Sequence, residues 1–128
     1  MKLLLDTHAF IWWDSEPAKL SPQVQALCQN RANSLLFSVA SVWEMQIKLQ
    51  LGKLKLTLPL GELIKNQQQT NNLEILPVTL AHVLALPTPP AHHKDPFDRL
   101  LIAQANVEKA ALVSNDPVFT RYSVQVVW

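Results

Sequence analysis

"LLLDTHAFIWW", residues 3–13, is the stretch whose reading decides the fold. Three leucines run straight into Asp6, and the chain turns apolar again almost at once. A carboxylate set between two apolar runs is costly unless partners or a counter-ion compensate it. "KLLL" (2–5) reads as a short buried strand, and a short helix is expected over 8–13. Asp6 then stands at the carboxyl end of a strand, the position where open parallel sheets carry their ligands.

Working outward, strand and helix signals alternate along the whole chain. Ser21 followed by Pro22 is an N-cap with proline at the first helical position, opening a helix to about residue 31. "LLFS" (35–38) reads as a second strand. Ser38 can cap a helix reaching Leu51, which Gly52 ends. "PLGELIKNQQQ" (59–69) is a further helix, "LEILPV" (73–78) a third strand, and "TLAHVLAL" (79–86) a short helix capped by Thr79. "LPTPPAHHKDP" (86–96) is proline-rich and reads as an ordered surface loop. Asp95-Pro96 opens the strongest helix, "PFDRLLIAQANVEKA". "ALVS" (111–114) is a fourth strand, Asp116-Pro117 starts another helical turn, and "VQVVW" (124–128) closes as a fifth strand. Short apolar strands separated by helices predict an α/β fold with a parallel sheet covered on both faces.

The bulk properties narrow the function. With 128 residues, nearly half of them hydrophobic and 16% charged, the chain is expected to be one globular domain rather than a disordered segment. Its net charge of +1 gives no basic field, so any nucleic-acid binding must rest on a local patch. The single cysteine, Cys28, leaves neither an internal disulfide nor a cysteine zinc cluster and suits a cytoplasmic setting. The first apolar run is broken early by Asp6 and His8, which makes a poor signal peptide and is far too short to span a membrane.

The acids fall where strands end. Asp6 follows the first strand directly, and Asp116 follows "ALVS" by two residues. Glu44 lies inside the helix after "LLFS", with Ala40, Ile47, Lys48 and Leu51 on its side; three of these four are apolar, so Glu44 is expected to face inward. Asp98 lies in the first turn of the helix opened by Asp95-Pro96. Four acids from four elements therefore converge. Converging carboxylates repel, and at least one takes up a proton unless a divalent cation supplies the counter-charge. An all-oxygen site suits Mg²⁺ or Mn²⁺ rather than zinc. Such an ion holds phosphate oxygens and activates a water for in-line attack. Each acid also has a plain structural reading. Asp6, Asp95 and Asp116 are well placed to cap the helices that follow them, Asp95 most of all because it directly precedes the proline. Glu44 could simply pair with Lys48 one turn on.

Other residues invite a role and have structural alternatives. "KLQLGKLKL" (48–56) could present Lys48, Lys53 and Lys55 to a phosphate backbone, or merely solvate a surface. Arg99 and Arg121 lie near the acidic edge and could hold phosphate or pair with the acids. His92 and His93 have no third ligand at zinc spacing and read better as loop residues. Trp12, Trp13 and Trp43 could stack bases, but their apolar-rich helical positions suit core or dimer contacts.

Four segments together carry a family resemblance: "LLLDTHAFIWW", "SVASVWEMQIK" (38–48), "HHKDPFDRLLIAQA" (92–105) and "LVSNDPVF" (112–119). Over essentially its whole length, as one domain spanning 1–128, the chain resembles PIN-domain ribonucleases, in particular the VapC-type toxins of bacterial toxin–antitoxin pairs. "DPFDRLLIAQA" is specific to one branch. The resemblance implies a PIN-like three-layer α/β/α sandwich around a parallel five-stranded sheet. It implies Mg²⁺- or Mn²⁺-dependent cleavage of RNA phosphodiester bonds to a 5′-phosphate and a 3′-hydroxyl. Carried over by position, the catalytic and metal-holding acids are Asp6, Glu44, Asp98 and Asp116, with Asp95 the alternative to Asp98. Thr7, Ser41, Arg99 and Asn115 are supporting or substrate-binding residues, and Asp98 or Asp116 is the candidate general base. A cognate antitoxin and a second copy of the chain are the implied protein partners, meeting exposed apolar surface on the first helices. The rival readings are a nuclease of the same fold acting in RNA processing or on DNA structures, and a non-catalytic acidic-pocket binding protein.

Overall fold

The computed structural model describes residues 1–87 and 95–128, so the pair His92–His93 and most of the proline-rich loop lie outside the described residues. Five strands, β1 (Lys2–Leu5), β2 (Ser34–Ser38), β3 (Glu74–Leu76), β4 (Ala111–Val113) and β5 (Val126–Val127), form one sheet in the order β3-β2-β1-β4-β5. Every pairing is parallel, and Leu5 of the central strand stands beside Phe37 on one side and Val113 on the other. From β1 the chain first builds outward through β2 and β3, then returns to add β4 and β5 on the opposite side. The order therefore reverses at β1, which opens a crevice beyond the carboxyl ends of β1 and β4.

The leucine run behaves as a fully covered strand must, with Leu3, Leu4 and Leu5 each 0% exposed. Leu3 and Leu5 point into one apolar cluster with Phe10, Phe37, Met45 and Leu63, whereas Leu4 points into another with Leu101, Ile102 and Phe119. Helices α1 (Thr7–Ser15), α2 (Pro22–Gln29), α3 (Val39–Gln50) and α4 (Leu60–Asn71) supply the first cluster. Helix α6 (Pro96–Glu108) covers the other face, with the short α5 (Leu80–Leu84) packed against it. The result is the three-layer α/β/α sandwich.

The caps read from the sequence form. Ser21 accepts from the Val24 N–H, Ser38 from Ala40, and Thr79 from His82 in a reciprocal capping box. Gly52 takes a positive φ of 70° just past the end of α3, a conformation that costs glycine least. Other details differ. Helix α1 starts earlier and ends later than 8–13, because Asp6 itself is its N-cap. Pro17–Lys19 adds a 3-10 turn that the sequence reading omitted. β3 stops at Leu76, where Pro77 has no N–H to continue the ladder. Ile11, Trp12, Trp13 and Leu27 of the first two helices pack against the first cluster, so the large exposed apolar side chains stand further along the chain, on α3 with Trp43 62% exposed and on α5 with Leu80 73% and Leu84 76% exposed.

Candidate active site

The crevice at the β1–β4 carboxyl edge collects carboxylates because helices begin there. Asp6 leaves β1 and caps α1, its Oδ1 accepting the Ala9 N–H at 2.8 Å. Its side chain is buried, and burial pushes its pKa above the ordinary 3.8. A hydrogen bond from the Ser114 hydroxyl, the Ala9 N–H and the nearby His8 oppose that rise, while Asp116 adds to it. Ser114 ends the β4 run, fully buried, and its Oγ also accepts the Asp116 N–H at 3.1 Å. Asp116 in turn caps a 3-10 helix (Pro117–Arg121) by accepting from Val118. One hydroxyl thus ties the first acid to the last. The sequence reading passed over Ser114; its signal is a polar residue ending an otherwise apolar buried strand, two places before an acid.

Glu44 enters from α3. That helix is anchored by the buried Ala40 and Met45, so Glu44 faces the crevice rather than the apolar core. Its side chain is only 20% exposed. The Thr7 hydroxyl donates to Oε1 at 2.7 Å, and the Lys48 Nζ stands 3.8 Å from Oε2. The Lys48 pairing anticipated for it exists, but it is long and leaves the carboxylate in the cavity wall.

The α6 acids complete the group. Asp95 caps the helix, accepting from the N–H groups of Phe97 at 2.9 Å and Asp98 at 3.3 Å. Asp98, in the first turn, has its carboxyl pushed up to about 7 by burial first, then by Asp95, Glu44, Asp116 and Asp6. Asp6, Glu44, Asp98 and Asp116, the acids read from the sequence, therefore lie near one another, with Asp95 beside them. Asp6, Glu44, Asp95, Asp98 and Asp116 line one cavity of about 150 Å³, with His8 and Lys48 on its wall. Capping and converging are here the same geometry. An N–H at one oxygen fixes the rotamers of Asp6, Asp95 and Asp116, and the helix starts lie around one crevice.

Not every expected residue reaches the cavity. Ser41 is buried within α3, Asn115 is exposed beside Asp116, and neither is part of the lining. Arg99 is half-buried with its Nε unpartnered, and Arg121 is exposed on the 3-10 turn; both lie off the lining. Of the three lysines, Lys48 alone belongs to it, while Lys53 and Lys55 point outward between Leu54 and Leu56, which pack on the core. A larger cavity, about 380 Å³, is lined by Asn30, Asn33, Ser34 and Glu74 at the amino ends of β2 and β3. It is the wrong edge for parallel-sheet chemistry and gathers no group of acids.

Residues 3–125 match the PIN domain. The chain belongs to the PIN domain family. It is 30% identical over 115 residues to Ribonuclease VapC22 of Mycobacterium tuberculosis, covering 89% of this chain and 86% of that protein. Among solved structures, this PIN domain is similar to VapBC2 from Rickettsia felis bound to a DNA fragment from their promoter. The TM-score is 0.72 with 20% identity, over 98% of this chain and 96% of that one. It is also similar to FitAcB from Neisseria gonorrhoeae, with a TM-score of 0.61 and 16% identity over 97% and 95% of the two chains. The fold is shared with both, and the chain is a VapC-type member of the family.

The donor set fits a hard divalent cation. Five carboxylates offer oxygen alone, and their mutual repulsion at Asp98 is the excess negative charge that such a cation neutralises. Among the described residues no three potential ligands stand together as a finished shell.

Proposed function

We propose that this PIN domain is a metal-dependent endoribonuclease, the toxin of a toxin–antitoxin pair. The observation that carries the reading is the cavity on which five carboxylates converge, where burial first and then the neighbouring acids push Asp98 up to about 7. A fold has no need of so much like charge at one point, and a divalent ion with a phosphate ligand gives it a use. The relative named a ribonuclease supports RNA as the substrate, and the likeness to VapBC2 supports an antitoxin partner.

Asp6, Glu44, Asp98 and Asp116 would hold Mg²⁺ or Mn²⁺, with Asp95 capping α6 and adding charge at the rim. A bound ion there supplies charge neutralisation for the phosphate and a water of lowered pKa. The chain's own groups do the remainder. Thr7 fixes Glu44 by donating to it, and Ser114 holds Asp6 and Asp116 in register. Lys48 offers a cation at the cavity wall for a non-bridging phosphate oxygen. Asp98 and Asp116 are the candidate bases.

A second copy of the chain is the proposed cover for the apolar face of α5, where Leu80, Val83 and Leu84 stand exposed. No helix of the described residues is long and apolar enough to cross a membrane. The test is sequencing of RNA ends after brief induction, beside an Asp6→Asn control. New 5′-phosphate ends and growth arrest are expected from the wild type only. Identical end profiles for the two proteins would overturn the site.

A further inference from the structure

One large side chain beside the site is left unused by the carboxylate chemistry. Trp43 immediately precedes Glu44 on α3, yet its indole is 62% exposed. Trp12 and Trp13, by contrast, are packed against the first apolar cluster. The exposed indole is held in place: the Phe97 ring meets it edge to face, with centroids 5.2 Å apart and planes at 70°. Phe97 itself immediately precedes Asp98, and its N–H is fixed by the Asp95 cap. The two rings thus come from the two helices that deliver Glu44 and Asp98 to the cavity. A solvent-facing indole one residue from Glu44, braced by a ring one residue from Asp98, has the properties of a stacking surface. Exposing an indole is unfavourable in isolation, and an edge-on neighbour restricts its motion while leaving a face open.

Resting on the nuclease reading above, we propose that Trp43 is a positioning residue that stacks the base next to the scissile phosphate. The charge pattern favours a nucleotide over an apolar protein segment. The same helix carries Lys48 on the cavity wall and Glu44 beside it, so an occupant must satisfy a cation, a carboxylate site and an aromatic face together. A nucleotide offers phosphate oxygens and a base in that order. A base locked in a duplex cannot turn onto a side chain without leaving its stack, which makes an unpaired strand or loop the preferred ligand.

The test is steady-state cleavage of a single-stranded RNA oligonucleotide in Mn²⁺, intact or with an abasic residue placed in turn on either side of the cut. Trp43→Ala is expected to raise KM about tenfold with kcat little changed, and Trp43→Phe to stay within about threefold of wild type. The abasic substrate is expected to cost the wild type a similar factor and to cost Trp43→Ala nothing further, a coupling that a merely structural role would not produce. Equal kinetics for wild type and Trp43→Ala, or no abasic penalty for the wild type, overturns the platform and leaves the nuclease reading standing. A Trp43→Ala protein that changes its sedimentation from dimer to monomer assigns the indole to contact between copies and likewise overturns it. Wild-type protein that fails to cut any RNA in Mn²⁺ sinks both. Should Trp43→Ala fail to fold, the abasic comparison on wild type alone decides.

Discussion

Helix α6 carries a polar cluster at each end, and the two are built on opposite principles. At its far end His82 is 0% exposed, with Nδ1 accepting the Thr79 N–H at 3.0 Å and Nε2 at 2.9 Å from Glu108. Gln104, also fully buried, donates to the Pro77 carbonyl at 3.3 Å. Donors meet acceptors, and a backbone N–H on Nδ1 leaves the imidazole proton on Nε2, facing a carboxylate. At the near end Asp95 and Asp98 meet Asp6, Glu44 and Asp116, five acceptors of one sign around one cavity. The first cluster pairs its charges, leaving the buried Gln104 Oε1 without a hydrogen bond among the described residues, and ties α5 to α6. The second sets five carboxylates against only Lys48 and His8 among the described residues of its lining. Burial of polar groups does not by itself mark a site; burial without charge balance does.

That contrast breaks most decisively if a change at the acidic end spares activity. Asp116→Asn and Glu44→Gln are each expected to lower RNA cleavage by about a thousandfold, the range for groups that act on developing charge or move protons. Circular dichroism and melting should show the fold retained, since each change removes one of several repelling charges. Cleavage within tenfold of wild type for either variant would return that acid to a purely capping or pairing role.

The opposite end should respond in the opposite way. His82→Ala removes a buried ring and its bonds to Thr79 and Glu108, so about 2–4 kcal/mol of stability is expected to go in urea unfolding. Cleavage at a temperature where the variant remains folded should match wild type. A stable but inactive His82→Ala protein would make the second cluster part of the site.

Mn²⁺ sharpens the comparison without a mutation. At a concentration one hundred times its dissociation constant, an ion that binds only the folded chain adds about 2.7 kcal/mol of stability. The wild type is expected to melt higher in Mn²⁺, His82→Ala to shift by the same increment from its lower starting point, and Asp116→Asn to shift far less. Equal shifts in all three would place the ion elsewhere.

The fold was legible because its signals were local. "KLLL" and "ALVS" are too short and too apolar for anything but covered strands, and Ser21-Pro22, Ser38 and Asp95-Pro96 announce helix starts by chemistry that needs no tertiary context. The parallel sense of the sheet also followed from alternation, since parallel strands need helical crossovers, whereas the order β3-β2-β1-β4-β5 did not. What escaped was set by packing between distant segments. Whether Trp12 or Trp43 is covered depends on which way each helix rolls against the sheet, and Trp43 is left exposed while Trp12 lies against Trp128 at 5.9 Å. Helix spacing put apolar neighbours around Glu44, yet it faces a cavity, because the apolar anchoring falls to Met45 and Ala40. Ser114 escaped for a simpler reason. A serine at a strand end is ordinary until two carboxylates from opposite ends of the chain are found on either side of it.

The smallest effect is the finest test of the charge balance at the acidic end. Asp98 rises from an ordinary 3.8 to about 7 in the folded chain. A raised carboxyl is the reverse of the usual stabilised acid. Its favourable, protonated form is fully present below about pH 4, and its contribution is lost as pH rises through 7. Without metal, Asp98→Asn should therefore melt with the wild type near pH 4 and above it near pH 8, by about 2–4 °C. Partial solvent exposure of the group keeps the difference modest. The gap should open between those two pH values and then stay constant. Saturating Mn²⁺ at pH 8 should reverse the order, because the ion rewards the ionised carboxylate that repulsion had penalised. A gap that ignores both pH and Mn²⁺ would mean that Asp98 feels neither its neighbours nor an ion.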